Sequence, residues 1–182
     1  MKVTTAAIPD IRVLEPQVFE DQRGFIMQTY LERDLKAAGI DADFIQENHC
    51  ESSRGVLRGL HYQIQQPQGK LIRVLAGEIY DVAVDLRRHA PTFGQSLGIE
   101  LSAAEHRLLW IPPGFAHGFY VLSDRAVVLY KLTDYYAPQW ERTLLWNDPD
   151  LRIAWPLLNG QVPILSVKDA AGKIWKEAEC YS

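Results

Sequence analysis

Hydrophobic positions along this chain fall in short runs, separated by turn-forming residues at a spacing of roughly 8–12 residues. Strands are expected at 11–15, 24–30, 44–51, 55–63, 70–76, 79–86, 96–101, 107–111, 117–122 and 126–132. Between them stand Gln66-Pro-Gln-Gly69, Ala76-Gly-Glu78, Pro91-Thr-Phe-Gly94 and Pro112-Pro-Gly114, whose proline and glycine favour tight turns. Asp81, Ala83 and Asp85 alternate with Tyr80, Val82, Val84 and Leu86, so that strand has one apolar and one more polar face. A small antiparallel barrel or sandwich with a polar lumen accounts for the pattern. Helical periodicity is confined to residues 31–38, closed by Gly39 as a C′ glycine, with a second short helix expected near 170–177. The expected fold class is mainly β with a few short helices. No repeat, linker or charge run divides the chain, so residues 1–182 read as a single domain.

Composition narrows the functional classes. Apolar residues make up 47% of the 182 positions and charged residues 23%, enough apolar content for a packed core. Nineteen basic against 23 acidic residues give a net charge of −4, which speaks against a general nucleic-acid binder. No run approaches the ~20 apolar residues of a membrane span, and Pro9 and Asp10 interrupt the place where a signal peptide would be apolar. Cys50 and Cys180 do not make a disulfide framework. The chain reads as cytoplasmic, with no membrane and no nucleic acid among its partners.

Chemistry-bearing residues cluster in two motifs. Pro112-x-Gly114-x-x-His117 opens the strand Gly118-Phe-Tyr-Val-Leu122 and resembles the second short motif of the cupin jelly rolls, which implies a cupin-like jelly-roll barrel or sandwich. Many cupins bind a metal through a His-x-His in their first motif. Here that motif is Gly59-Leu-His61-Tyr-Gln63, with glutamine at the second histidine position. Two histidines on separate strands are a thin ligand set for a transition metal, so no metal is expected. No Gly-rich dinucleotide fingerprint is present and no other cofactor is expected.

Other segments fall in order around these motifs: Arg23-Gly24-Phe25, Gln46-Glu-Asn48, Gly55-Val-Leu-Arg58-Gly-Leu-His61-Tyr-Gln63, Gly69-Lys70-Leu71, Trp110-Ile-Pro-Pro-Gly-Phe-Ala-His117-Gly-Phe119, Leu129-Tyr130-Lys131, Asp134-Tyr-Tyr136 and Leu165-Ser-Val-Lys168-Asp169. Over about residues 8–180 the chain resembles the dTDP-4-dehydrorhamnose 3,5-epimerase family. The resemblance implies inversion of C3 and C5 on a dTDP-4-keto-6-deoxy sugar, whose C4 ketone acidifies both flanking hydrogens. It implies that His61 is the base, with Asp169 as its acidic partner. It implies that Lys70 faces the C4 oxygen and that Tyr130 delivers a proton to the opposite face. Arg23 and Arg58 match diphosphate-binding positions, and Phe25 and Tyr136 match residues that pack on thymine. Gln46, Glu47, Asn48, His117, Glu141 and Lys168 match further positions lining the family's site. A homodimer is implied in which Arg23, Phe25 and Gln28 reach the partner's site.

Some features do not follow the pattern. Gln28 stands where the family usually has glutamate, and Cys50 where serine is common. Arg58 and His61 differ by three positions, so a regular strand would point them to opposite faces, and Gly59 between them marks an expected bulge. Taken singly, each residue also has an ordinary reading: His61 or His117 as a structural histidine, Lys70 as a solvated turn residue, Asp169 as a helix N-cap, Arg58 in a surface ion pair. Three other functions stay open: a C3-only epimerase or a ketoisomerase on a related dTDP-sugar, and a non-catalytic cupin that binds a nucleotide sugar.

Overall fold

The computed structural model describes residues 1–182. Its strands are β1 (Lys2–Thr5), β2 (Arg12–Glu15), β3 (Val18–Asp21), β4 (Gly24–Met27), β5 (Gln46–Ser53), β6 (Leu57–Gln63), β7 (Lys70–Ala76), β8 (Glu78–Asp85), β9 (Ser96–Ser102), β10 (Leu108–Ile111), β11 (Phe115–Val121), β12 (Arg125–Leu132) and β13 (Glu141–Thr143). Two short helices, α1 (Glu32–Ala37) and α2 (Val167–Ala170), complete it with three 3₁₀ turns. The strands form an antiparallel six-stranded sheet in the order β1-β2-β10-β7-β12-β5 and a five-stranded sheet in the order β13-β6-β11-β8-β9. β3 and β4 make a separate hairpin. No helix is long and apolar enough to cross a membrane.

The alternation read from the sequence decides which side chains meet between the sheets. Ile72 and Val74 of β7, Ala126 and Val128 of β12, Ile79 and Ala83 of β8 and Phe115, Phe119 and Val121 of β11 belong to one buried cluster. The expectation of a polar lumen is therefore corrected: most of the space between the sheets is hydrocarbon, and polar side chains gather at one end of it. The outer face of β8 is covered as well. Val82 and Val84 pack with Leu60, Leu144, Leu151 and Ala178, which come from β6 and from the chain after β13. Asp148 organises that covering segment, accepting N–H bonds from Asp150 (2.9 Å), Leu151 (3.1 Å) and Trp175 (2.7 Å). On the other sheet, Leu35 and Ile40 at α1 close over Leu14, Leu71, Leu108 and Trp110.

α1 ends as its sequence predicts. Gly39 has φ +79°, its N–H bonds the Lys36 carbonyl at 3.0 Å, and the Ile40 N–H bonds the Leu35 carbonyl at 2.9 Å, a Schellman closure with Leu35 and Ile40 in the same cluster. The helix expected near 170–177 is not one helix. α2 ends at Ala170 and residues 175–177 form a separate 3₁₀ turn, because Lys173 is drawn into backbone bonds with Thr143 (2.9 Å) and Leu145 (2.8 Å). β1, β3 and β13 had no strand expectation; they are three or four residues long and lie at sheet edges or in the hairpin.

The bulge expected at Gly59 is present. β11 pairs His117 with His61 but Phe119 with Arg58, so two residues of β6 oppose one of β11. Gly59 has φ +116°, and a Cβ there would lie 2.6 Å from the Gly118 Cα. Only glycine satisfies both constraints. The extra residue turns Arg58 and His61 to the same side of the sheet.

Candidate active site

The polar end of the inter-sheet space is an open cavity of about 390 Å³. From the six-stranded sheet it is lined by Gln46 and Asn48 on β5, Lys70 at the start of β7, and Tyr130 and Leu132 on β12. From the five-stranded sheet it is lined by Arg58 and His61 on β6, His117 and Phe119 on β11, and Glu141 on β13. Gln68, Tyr136 and Lys168 form the mouth with these residues. The ladders explain the convergence, since Tyr130 is paired with Asn48 on one side and Ile72 on the other, and Leu132 with Gln46 and Lys70.

His61 Nε2 lies 2.5 Å from Asp169 Oδ1, with Asp169 buried. Burial raises the Asp169 carboxyl, but the hydrogen bond and charge of His61, with Ser166 and Lys168, outweigh it and hold the group below its usual value. Asp169 is not the cap of α2: Ser166 is, accepting the Asp169 N–H at 3.1 Å, and the carboxylate is left for His61. A second pair lies deeper, where His117 Nε2 is 2.9 and 3.0 Å from the two oxygens of the fully buried Asp81. Burial holds His117 below its usual pKa, with the Lys70 charge also acting in that direction.

Lys70 is 8% exposed, and its ammonium donates only to the His61 carbonyl, at 3.3 Å. Burial pushes its pKa down to about 8, against the attraction of Asp81 and Glu141. Burial raises the Tyr130 phenol, against an Asn48 hydrogen bond, so it holds its proton at neutral pH. Arg58 is in no surface ion pair; its Nε donates to Ser52 Oγ at 2.8 Å and its Nη2 to the Glu51 carbonyl at 3.3 Å. At the mouth, Glu141 accepts from Lys168 (2.8 Å) and from the Tyr136 hydroxyl (3.0 Å).

Five expected site residues do not line this cavity: Asp169 stands behind His61, and the other four lie apart from it. Glu47 follows the β5 alternation to the outer face, where its carboxylate is 2.5 Å from Lys131 Nζ. Arg23, Phe25 and Gln28 lie on or just after the β3–β4 hairpin. The Arg23 guanidinium is held by Asp21, and the Phe25 ring sits 4.7 Å from that of His106, in the β9–β10 turn. That turn is at the far end of β10 from Ile111, which pairs with Lys70. Gln68, Phe119, Leu132 and Asp81 were missed as site residues. The alternation Asp81-x-Ala83-x-Asp85 was the signal for Asp81; Gln68 and Leu132 had none. No three His, Cys, Asp or Glu side chains gather as a metal site, and the Gln63 amide is used up on backbone groups.

A base held by a carboxylate on one sheet, a protonated phenol on the other and a buried cation near both can move protons on a single ligand. That is the equipment of an isomerase. The family model described as dTDP-4-dehydrorhamnose 3,5-epimerase matches residues 5–177. A dTDP-4-dehydrorhamnose 3,5-epimerase of Pseudomonas aeruginosa is 56% identical over 182 residues, 100% of this chain and 99% of its own. The dTDP-6-deoxy-D-glucose-3,5-epimerase of Legionella pneumophila, solved with dTDP-4-keto-L-rhamnose, superposes with a TM-score of 0.94 at 47% identity, covering 98% of this chain and 94% of that one. A 3′-monoepimerase of Streptomyces bikiniensis, solved with dTDP-quinovose, is more distant: TM-score 0.86 at 31% identity, covering 93% of this chain and 86% of that one. The chain belongs to the dTDP-4-dehydrorhamnose 3,5-epimerase family, with the family's cupin-like β fold.

Proposed function

We propose that this protein inverts C3 and C5 of dTDP-4-dehydro-6-deoxy-D-glucose to give dTDP-4-dehydro-L-rhamnose, with residues 1–182 acting as one domain. The observation that carries the reading is that His61 and Tyr130 enter one cavity from opposite sheets. Epimerisation needs a base on one face of the sugar and an acid on the other. His61, oriented by Asp169, removes the proton from C3 or C5. The C–H electron pair forms the C=C bond, and the carbonyl pair moves onto the C4 oxygen. Lys70 stabilises that enolate charge. Tyr130 then protonates the same carbon from the other face, leaving His61 protonated and Tyr130 as phenolate; proton exchange with water resets both. Arg58 serves the diphosphate, and Tyr136 packs on the thymine at the mouth with Gln46, Asn48, His117, Glu141 and Lys168 around the ligand.

The protein acts as a cytoplasmic homodimer in which Arg23, Phe25 and Gln28 complete the partner's site. Their exposure on a hairpin remote from their own cavity supports this, as does the outer face of the six-stranded sheet. Arg12 and Arg73 sit on that face with buried guanidinium nitrogens that have no partner within the chain.

Proton NMR of dTDP-4-keto-6-deoxyglucose with the enzyme in heavy water tests the reading. The C3 and C5 signals should both be lost. His61→Asn should stop both exchanges, and Tyr130→Phe should retain exchange at C3 while the doubly inverted product falls sharply. Exchange at C3 alone in the wild type would mark a C3-only epimerase, and no exchange would mark a binding protein. Loss of all exchange in Tyr130→Phe with retention in His61→Asn would overturn the two-face assignment.

A further inference from the structure

The segment 133–137 links β12 to the 3₁₀ turn at Pro138–Trp140 and carries Tyr136 to the cavity mouth. It belongs to no strand, yet its backbone polar groups are bonded one after another, mostly by side chains. The Thr133 N–H donates to the Gly69 carbonyl (3.1 Å) and the Gln68 amide to the Asp134 carbonyl (2.9 Å). The Gln63 amide donates to the Tyr135 carbonyl (3.2 Å), the Tyr136 N–H donates to Gln46 Oε1 (2.8 Å), and the Ala137 N–H donates to Gln63 Oε1 (2.8 Å). Three glutamines therefore do for this loop what a neighbouring strand would do, and they come from β5, β6 and the β6–β7 turn.

Gln63 is the centre of the arrangement. It is 4% exposed, and its two amide atoms make three bonds, the third to the Gln66 carbonyl at 2.8 Å. A primary amide is the side chain that can accept from one backbone N–H and donate to two carbonyls at once. Neither carboxylate nor imidazole has that combination. Tyr136 is half exposed, its backbone N–H held by Gln46 and its ring hydroxyl by Glu141.

We infer that Gln63, with Gln68, is a positioning residue for nucleotide binding, fixing the 133–137 loop so that the Tyr136 ring is pre-set to receive the base. The inference rests on the reading above, in which Tyr136 packs on the thymine. The glutamine in the His61-x-Gln63 motif is thus a loop anchor, at a position where metal-binding cupins place a ligand. The clamp acts on the nucleotide end and not on the proton-transfer set, so its loss is expressed in binding.

The test is a double-mutant cycle on dTDP affinity, measured by calorimetry, with kcat and KM on the keto sugar measured alongside. Gln63→Glu keeps the shape and the acceptor but loses both donors. It should weaken dTDP binding about tenfold and raise KM in parallel, with kcat within about threefold of wild type. Gln68→Ala, at a less buried position, should act in the same direction by a smaller factor. In a Tyr136→Ala background both substitutions should cost less than twofold, because the residue they position is gone. Full additivity with Tyr136→Ala, or a fall in kcat at unchanged dTDP affinity, would overturn the inference. If Gln63→Glu does not fold, the Gln68→Ala cycle decides by the same criteria. Unchanged dTDP binding in Tyr136→Ala alone would instead refute the placement of the thymine.

Discussion

Replacing Lys70 with methionine should make the protein more stable and nearly inactive. The side chain is 8% exposed, and its charge has no carboxylate in hydrogen-bond contact, only the His61 carbonyl at 3.3 Å. Burial moves its pKa from 10.5 to about 8 even after the attraction of Asp81 and Glu141 is counted. At 1.36 kcal/mol per pH unit, keeping the charged form inside the fold at pH 7 costs about 3 kcal/mol relative to the unfolded chain. The sign follows from proton binding. Between about pH 8 and 10.5 the unfolded chain holds the lysine proton when the folded chain has released it, so this contribution improves with rising pH. Methionine fills the same space without charge. Urea unfolding should show Lys70→Met stabilised by about 3 kcal/mol at pH 7 and by only about 1 kcal/mol near pH 9.5. Its kcat should fall by roughly 10²–10³ if the charge stabilises the enolate as proposed. In the wild type, kcat/KM should decline above about pH 8 as the cation is lost. A variant less stable than wild type at pH 7, or an offset that is the same at both pH values, would refute the reasoning.

Two further outcomes are expected. Gly59→Ala should cost roughly 2–4 kcal/mol in urea unfolding and Gly24→Ala only about 1–2, because both have φ +116° but only Gly59 has backbone within 3 Å of a new Cβ; equal costs would show that the close approach to Gly118 does not constrain β6. Mixing a His61→Asn chain with an Arg23→Ala/Phe25→Ala chain should recover about a quarter of wild-type activity, since half of randomly assorted dimers would carry one intact site; heterodimers without recovered activity would show that the hairpin does not serve the partner.

Much of this fold was legible because its strands alternate cleanly and its turns carry proline and glycine. The ten expected strands are all present, with ends displaced by up to three residues, as at 24–30, where the ladder stops at Met27. β1, β3 and β13 were not legible, because a strand of three or four residues has too few positions for a period to show. The polarity of the lumen was misjudged for a different reason. Asp81 and Asp85 were read as a wet face, whereas both are fully buried with His117, Arg87 and Thr92 as partners. Pairing across strands is a long-range property that alternation along one strand does not contain. At the site, the family resemblance singled out His61, Lys70, His117 and Tyr130, and each takes an inward position of a strand on the cavity wall. It placed Glu47 wrongly because its neighbours Gln46 and Asn48 are inward, so Glu47 must face out. Gln68 lies in a turn, where no period exists to read.

The two His–Asp pairs show how one kind of contact serves opposite ends. Asp81 is fully buried and His117 nearly so, and Asp81 gives both oxygens to a single ring nitrogen, which fixes the imidazole against the cavity wall. Asp169 gives one oxygen to His61, whose side chain remains 27% exposed toward the cavity. That exposure lets the His61 ring meet a ligand in the cavity, as the role of base proposed for it requires, while Asp169 fixes its orientation from behind. The difference is set by backbone geometry. His117 lies within a fully buried strand, whereas His61 follows the Gly59 bulge and faces α2, the short helix at the cavity mouth that brings Asp169 in from outside the sheets. The irregularity that breaks the strand's period therefore separates the histidine that meets the cavity, and is proposed as the base, from the one buried in its wall.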